Sequence, residues 1–361
     1  MTLDINDDFY KYHSRNLPLS ILGKDGLRDL REMRATVVGV GGLGTIIAEQ
    51  LAACGIGKLR LIDQDFVEYH NLPRQKLYFV EDVGKSKAEA AAKYIKKRNP
   101  FVKIEVIHSK LTRENSFELL EGSNVVVDGT DNFETRRIIN EECFRLEIPW
   151  VFGGALAETG NIMTITYKKD TPCFHCIFGE QSDDENAPTC ETVGVYPPLL
   201  GLVANIQVTE AIRLLRDKQP VLESKLMVIS TADLSFETIP VKKRKDCPVC
   251  GENPQYSGLV ADRKREEVII PDYGKVIITG LCSQGTFLVH PEHEFNWNFE
   301  EVVNKAIKKY SAKKVGDTVL RIELGKAVIS LASTGVATIK GPLKIEEAKK
   351  IYSDIINELI S

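Results

Sequence analysis

Short apolar runs alternate with amphipathic stretches over the first 150 residues. Residues 35–40, ATVVGV, are rich in β-branched side chains and predict a buried strand, and residues 45–54 carry apolar positions at helical spacing. The alternation continues with a strand over 58–63, a helix over 85–98, strands over 103–108 and 124–128, and a helix over 132–146. Strands separated by helices of this length predict a doubly wound, mostly parallel, Rossmann-like α/β sheet.

From Trp150 the texture changes. A glycine-rich stretch, FGGALAETGN, leads into IMTITY, whose apolar and polar positions alternate as in a half-buried strand. The acidic stretch GEQSDDENAPTC is too polar to pack and predicts a crossing loop. Residues 199–215 form a largely apolar segment and predict a buried helix. A charged linker, VKKRKD, precedes Cys247, and GENPQYSG marks a boundary near residue 256. The expected domains are therefore 1–256 and 257–361. The second is a small α+β module patterned strand, strand, helix, strands, helix, ending in the amphipathic KIEEAKKIYSDIINELI.

The glycines at the first strand–helix join bring in chemistry. Gly39, Gly41 and Gly44 fit G-x-G-x-x-G, with Gly42 in the same turn; missing side chains permit a tight bend and close approach of backbone to phosphate. Phosphate would sit at the helix N-terminus, where free N–H groups and the helix dipole favour negative charge. Asp63, at the end of the second strand, stands where a ribose hydroxyl is expected, about 20 positions on. NAD, FAD and ATP all use such a turn, so the motif by itself leaves the nucleotide open.

Composition narrows the setting. The 361 residues carry 47 basic and 51 acidic side chains, a net charge of −4, which argues against a dominant nucleic-acid partner. The N-terminus has no basic, apolar leader, and no stretch reads as a membrane span, so the expectation is a cytoplasmic protein without a membrane partner. In that compartment eight cysteines favour metal or thiol chemistry over disulfides. Cys173-x-x-Cys176 and Cys247-x-x-Cys250 form two chelating pairs, and four thiolates make a closed tetrahedral zinc site with no open position for catalysis. His175, inside the first pair, is then a packing or surface histidine. Cys54 and Cys143, on helices, are expected in the core.

A second group of residues follows successive strands: Asn71, Arg74 and Gln75 in NLPRQ, Lys85 and Lys87 in VGKSKAE, and Asp131 and Asn132 in DGTDN. Ligands of open α/β sheets lie beyond the carboxyl ends of the strands, so these residues converge on one crevice. Two cations and an acid able to hold Mg²⁺ suit a triphosphate better than a nicotinamide cofactor.

GVGGLG, IDQD, NLPRQ, VGKSKAE, DGTDN, the first cysteine pair, TCETVGV and the second cysteine pair, in this order, resemble the E1-like activating enzymes. That group includes the molybdopterin-synthase and thiamine-pathway adenylyltransferases and the activators of ubiquitin-like sulfur carriers. The resemblance spans about residues 10–255 and implies that the glycine turn cradles ATP. It implies that Asp63 holds the ribose, Asn71 and Lys87 the phosphates, and Asp131 a bridging Mg²⁺. It also implies a homodimer in which Arg74 reaches the opposite subunit's nucleotide, as does an N-terminal arginine that YHSRN matches only at Arg15. Cys190, in TCETVGV, corresponds to a cysteine that in some members accepts the activated carboxyl or pairs with a persulfide.

The reaction implied is ATP-dependent adenylation of the C-terminal glycine carboxylate of a ubiquitin-like or sulfur-carrier protein ending in Gly-Gly. Three rivals share parts of the pattern: an NAD-dependent dehydrogenase, an ATP-dependent enzyme acting on a carboxylated tRNA base, and a catalytically silent E1-like scaffold. Arg74, Lys87 and Asp131 occurring together speak against the scaffold, which needs no phosphate ligands. Some relatives end in a rhodanese domain. Here Cys282, in GLCSQGTF, stands between two strand-like runs with no helix after it, so residues 257–361 are expected to be a docking or structural module instead.

Overall fold

A computed structural model describes residues 7–179, 192–252, 254, 265–270, 274–280, 286–291, 295–315 and 319–360. The chain divides into two compact units, Met1–Tyr256 and Ser257–Ser361. Cys190 and Cys282 lie outside the described residues.

The first unit is built on an eight-stranded sheet: β1 (Arg34–Val38), β2 (Lys58–Ile62), β3 (Lys103–Ile107), β4 (Val125–Asp128), β5 (Trp150–Leu156), β6 (Thr159–Ile165), β7 (Lys225–Ser230) and β8 (Ser235–Pro240). The order is β3-β2-β1-β4-β5-β6-β7-β8. The five strands from β3 to β5 run parallel, and β6, β7 and β8 extend the sheet antiparallel. Four of the seven pairings in the sheet are parallel, and the antiparallel ones lie together at one edge.

Period-two alternation assigns each strand residue to one of two cores. Val37, Leu61, Val127 and Val151 face one side, where they meet helices α3 (Gly42–Ala53), α4 (Lys87–Arg98) and α8 (Pro197–Leu215). Val38, Ile62, Val126 and Trp150 face the other, with α6 (Phe133–Leu146) and the short α5 (Ser116–Leu120) and α7 (Phe174–Phe178). Two further helices, α1 (Asp7–Tyr12) and α2 (Gly23–Glu32), precede β1; α2 buries Leu27 and Leu30. Their pattern is too short to stand out in the sequence.

Helix α8 is long and apolar enough to cross a membrane by length and composition. In this fold Leu199, Val203, Ala204 and Ala211 are buried in the core it shares with α3 and the sheet. Burying Leu199 and Val203 contributes about 1.5–3 kcal/mol each to that packing. The close approach explains β5, which the sequence shows only as a glycine-rich stretch. A Cβ on Gly153 would lie 2.2 Å from Gln207 Cδ of α8. Glycine in this strand therefore marks the place where a helix presses on the sheet.

The second unit contains β9 (Arg265–Ile270), β10 (Gly274–Gly280), β11 (Thr286–Pro291), α9 (Phe299–Lys309), β12 (Ser311–Val315), β13 (Val319–Leu324), β14 (Ala327–Ala332), β15 (Ala337–Lys340) and α10 (Ile345–Ile360). Among the described residues seven strands form one antiparallel sheet, order β12-β13-β14-β15-β11-β10-β9. Three described strands, not two, precede α9. Val276, Ile322, Ile329 and Ile339 of the sheet share a core with Val302 and Val303 of α9 and Tyr352 and Ile356 of α10.

Candidate active site

The carboxyl ends of β1, β2 and β4 open into a cavity of about 530 Å³. Its floor is the glycine turn. Gly39 has φ +82°, a conformation glycine adopts without steric cost, and a Cβ on Gly44 would lie 1.9 Å from the Gly39 carbonyl oxygen. Both polar groups of Val40 are held from elsewhere: its N–H donates to Asp63 Oδ2 at 2.6 Å, and its carbonyl accepts from the Tyr78 hydroxyl at 2.6 Å. Helix α3 starts at Gly42, so its first free N–H groups face the cavity with no acidic side chain in the first turn.

Asp63 is buried, and burial raises its carboxyl above the usual carboxylate value, opposed by the N–H groups of Val40 and Asp65. Its Oδ1 accepts the Asp65 N–H at 2.7 Å. Two of its roughly four lone-pair sites therefore fix the turn, and the rest remain for a ligand. Two residues on, Asp65 extends into the cavity and pairs with Lys87, Nζ to Oδ2 at 2.9 Å. Lys87 is the first residue of α4, capped by the Ser86 hydroxyl, and its side chain is only 10% exposed.

Asn71 is buried at the cavity wall, its Oδ1 accepting the Glu68 N–H at 2.8 Å. Arg74 lines the same cavity within its own chain, with Nη1 donating to the His70 carbonyl at 2.7 Å. Arg15 is exposed and is not among the cavity's lining residues. Asp131 and Asn132 follow β4 and line the opposite wall; Asp131 is exposed to the cavity, and Asn132 caps α6 by accepting the Thr135 N–H at 2.9 Å. Of the residues singled out from sequence for nucleotide and phosphate, the fold brings all but Arg15 and Lys85 to this cavity or its glycine turn; Lys85 pairs instead with Asp82, Nζ to Oδ1 at 2.9 Å.

Two lining residues had no role assigned from the sequence. Gln75 is 4% exposed at the cavity wall, and its Oε1 has no hydrogen-bond partner in the structure. Asp65 is the second acid of IDQD, hidden there by the stronger expectation on Asp63.

The cysteine pairs close on one another across 74 residues. Cys173 Sγ lies 3.7 Å from Cys247 Sγ, and Cys176 Sγ 3.4 Å from Cys250 Sγ, with all four sulfurs within 4.8 Å. A Zn–S bond of about 2.3 Å gives tetrahedral S–S edges of about 3.8 Å, so the set fits zinc. The Arg244 N–H approaches Cys176 Sγ at 3.4 Å and Asn140 Nδ2 approaches Cys173 Sγ at 3.7 Å, the outer contacts that orient metal ligands. His175 is buried beside them. Cys143 is buried and Cys54 half-buried; burial raises the Cys54 thiol to about 11, which keeps it protonated.

A glycine turn at the head of a helix, with cations and an acid at neighbouring strand ends, defines a phosphate-handling α/β enzyme. The chain belongs to the ThiF family of E1-like adenylyltransferases, which residues 13–249 match. It is 39% identical over 252 residues to the SAMP-activating enzyme E1 of Haloferax volcanii, covering 70% of this chain and 93% of that protein. It is 33% identical over 258 residues to the sulfur carrier protein adenylyltransferase of Thermus thermophilus, covering 70% and 95%. Among solved structures, E. coli MccB with ATP superposes with a TM-score of 0.59 at 22% identity, covering 70% of this chain and 76% of that one, a likeness of fold. Residues 257–361 lie beyond the family match.

Proposed function

We propose that residues 1–256 adenylate the C-terminal glycine carboxylate of a ubiquitin-like or sulfur-carrier protein, using ATP with Mg²⁺, and that the working unit is a homodimer. The observation that carries this reading is the convergence of the α3 N-terminus, Arg74, Lys87 and Asp131 on one cavity. The names of the relatives, SAMP-activating enzyme E1 and sulfur carrier protein adenylyltransferase, support the substrate class.

In this reading the substrate carboxylate attacks the α-phosphorus of ATP. An acyl–phosphate bond forms and the bond to pyrophosphate breaks. Lys87, Arg74 and the N–H groups at the start of α3 neutralise charge on the phosphate oxygens, and Asn71 adds a neutral donor. Asp63 and Asp65 offer acceptors to the ribose. Asp131 would hold Mg²⁺, which would supply further charge neutralisation. Catalysis is mainly positioning of two anions that repel one another in water. The zinc site would be structural, tying the segment at Cys173 to the end of the first unit at Cys247.

The test is ATP–pyrophosphate exchange in the presence of candidate Gly-Gly proteins, followed by intact mass. Exchange that depends on both Mg²⁺ and a carrier is expected; its absence with every Gly-Gly protein tried would remove the reading. The same spectra address the fate of the adenylate, for which we propose capture by Cys190. Adenylate is a good leaving group and a thiolate a strong nucleophile. Cys190→Ala should keep exchange and lose any thiol-sensitive adduct, and an adduct of equal yield in the variant would exclude Cys190.

A further inference from the structure

We propose that Arg136 is the positioning residue for Asp131: it fastens the loop between β4 and α6 so that the Asp131 carboxylate is held where a divalent cation on ATP needs it. Arg136 does not line the cavity. It is buried behind it, in the first turn of α6. A cation there opposes the helix dipole, so helix stability does not explain the residue.

Its hydrogen bonds do. Nε donates to Asp128 Oδ2 at 3.0 Å, and Nη2 donates to the Thr130 carbonyl at 2.6 Å and the Gly153 carbonyl at 3.0 Å. The other oxygen of Asp128, which is fully buried, accepts the Thr130 N–H at 2.8 Å and the Thr130 hydroxyl at 2.6 Å. Every polar group of Thr130 is thereby bonded, and Thr130 immediately precedes Asp131. On the other side Asn132 is fixed as the cap of α6. Asp131 itself has one weak side-chain contact, Asn132 Nδ2 at 3.4 Å, so its aim is set by its two neighbours.

The clamp extends in two directions. Gln207 of α8 donates to the Asp128 carbonyl at 2.8 Å, tying the loop's root to the helix that crosses Gly153. Gly129 packs so closely on the glycine turn that a Cβ would lie 2.2 Å from the Gly39 carbonyl oxygen. The Asp131 loop and the phosphate turn are therefore held as one piece. The guanidinium is also stacked, 5.2 Å from the Phe152 ring centroid. A lysine could supply the charge but not three directed donors in a planar fork.

The inference rests on the adenylation reading only for the role of Asp131. Arg136→Lys should bind ATP without divalent metal as wild type does. The Mn²⁺ affinity of the ATP complex, read by electron paramagnetic resonance, should fall by about 10–100-fold, the usual cost of losing a residue that orients a metal ligand. Exchange should lose kcat with KM for ATP little changed, and excess Mg²⁺ should restore part of it. Thr130→Val, which removes only the hydroxyl donor to Asp128, should move Mn²⁺ affinity in the same direction by less; it decides the matter if Arg136→Lys does not fold. Mn²⁺ affinity unchanged in a folded variant would overturn the inference, as would a loss matched by metal-free ATP affinity. Wild-type protein that shows Arg136-dependent Mn²⁺ binding but no exchange would overturn the adenylation reading and leave this one standing.

Discussion

The Lys87 ammonium lies 2.9 Å from the Asp65 carboxylate inside the phosphate cavity, with Lys87 nearly buried and Asp65 half open to solvent. The cation is thus held in place before any nucleotide arrives, and an entering phosphate takes over a charge that is already desolvated. A charge-assisted hydrogen bond contributes about 1.5–3 kcal/mol, so Lys87→Met should weaken ATP binding roughly 10–150-fold by calorimetry. Asp65→Asn should change it far less, because the lysine stays packed. Equal losses in the two variants would show that the pair, not the cation, carries binding.

Arg74 lines the cavity of its own chain and Arg15 does not. Arg74→Ala and Asp131→Ala should each abolish exchange, and a subunit-exchanged mixture of the two should stay inactive, since neither chain then holds a complete site. Arg15→Ala mixed with Asp131→Ala should instead recover part of the activity if Arg15 serves the opposite subunit. Recovery in the Arg74 mixture would place that arginine across the interface, as the family resemblance implies.

The four sulfurs should hold about one zinc ion per chain, measured by metal analysis of protein purified without chelator. Closed thiolate sites couple metal binding to folding, by about 10–16 kcal/mol in small zinc peptides. Zinc removal should therefore lower the melting temperature sharply, with ATP affinity affected only through unfolding. Protein without metal but with unaltered melting would dismiss the site.

His13 is 2% exposed among Phe9, Tyr12 and Phe101, and its Nε2 has no hydrogen-bond partner in the structure. Burial pulls its imidazole down from 6.5 to about 4. Between those values the unfolded chain takes up a proton that the folded chain refuses, so this contribution is complete above pH 6.5 and is lost as pH falls toward 4. At pH 5 the loss is about 2 kcal/mol, an upper figure from 1.36 kcal/mol per pKa unit. Urea unfolding at pH 7 and pH 5 should show a smaller fall for His13→Phe than for wild type. Identical falls would mean that His13 does not titrate differently on folding.

The amino-acid sequence by itself determined what local physics encodes. Strand and helix periods, the spacing of Gly39, Gly41 and Gly44, and the two Cys-x-x-Cys chelates each depend on residues within a turn or two of one another. The residues that follow strand ends were legible for a related reason: the topology of an open α/β sheet fixes in advance which ends meet. Tertiary structure decided the rest. Gly153 read only as part of a glycine-rich stretch because its reason, the side chain of Gln207, lies 54 positions away. That residue also supplies the donor to the Asp128 carbonyl, and the Arg136 clamp on the Asp131 loop depends in turn on β5 lying beside β4. Asp63 was visible as an acid at the right distance, but not as the group that pins Val40, since a hydrogen bond between strands leaves no periodic trace. Buried polar groups must find partners wherever the fold places them, and those partners are seldom neighbours in sequence.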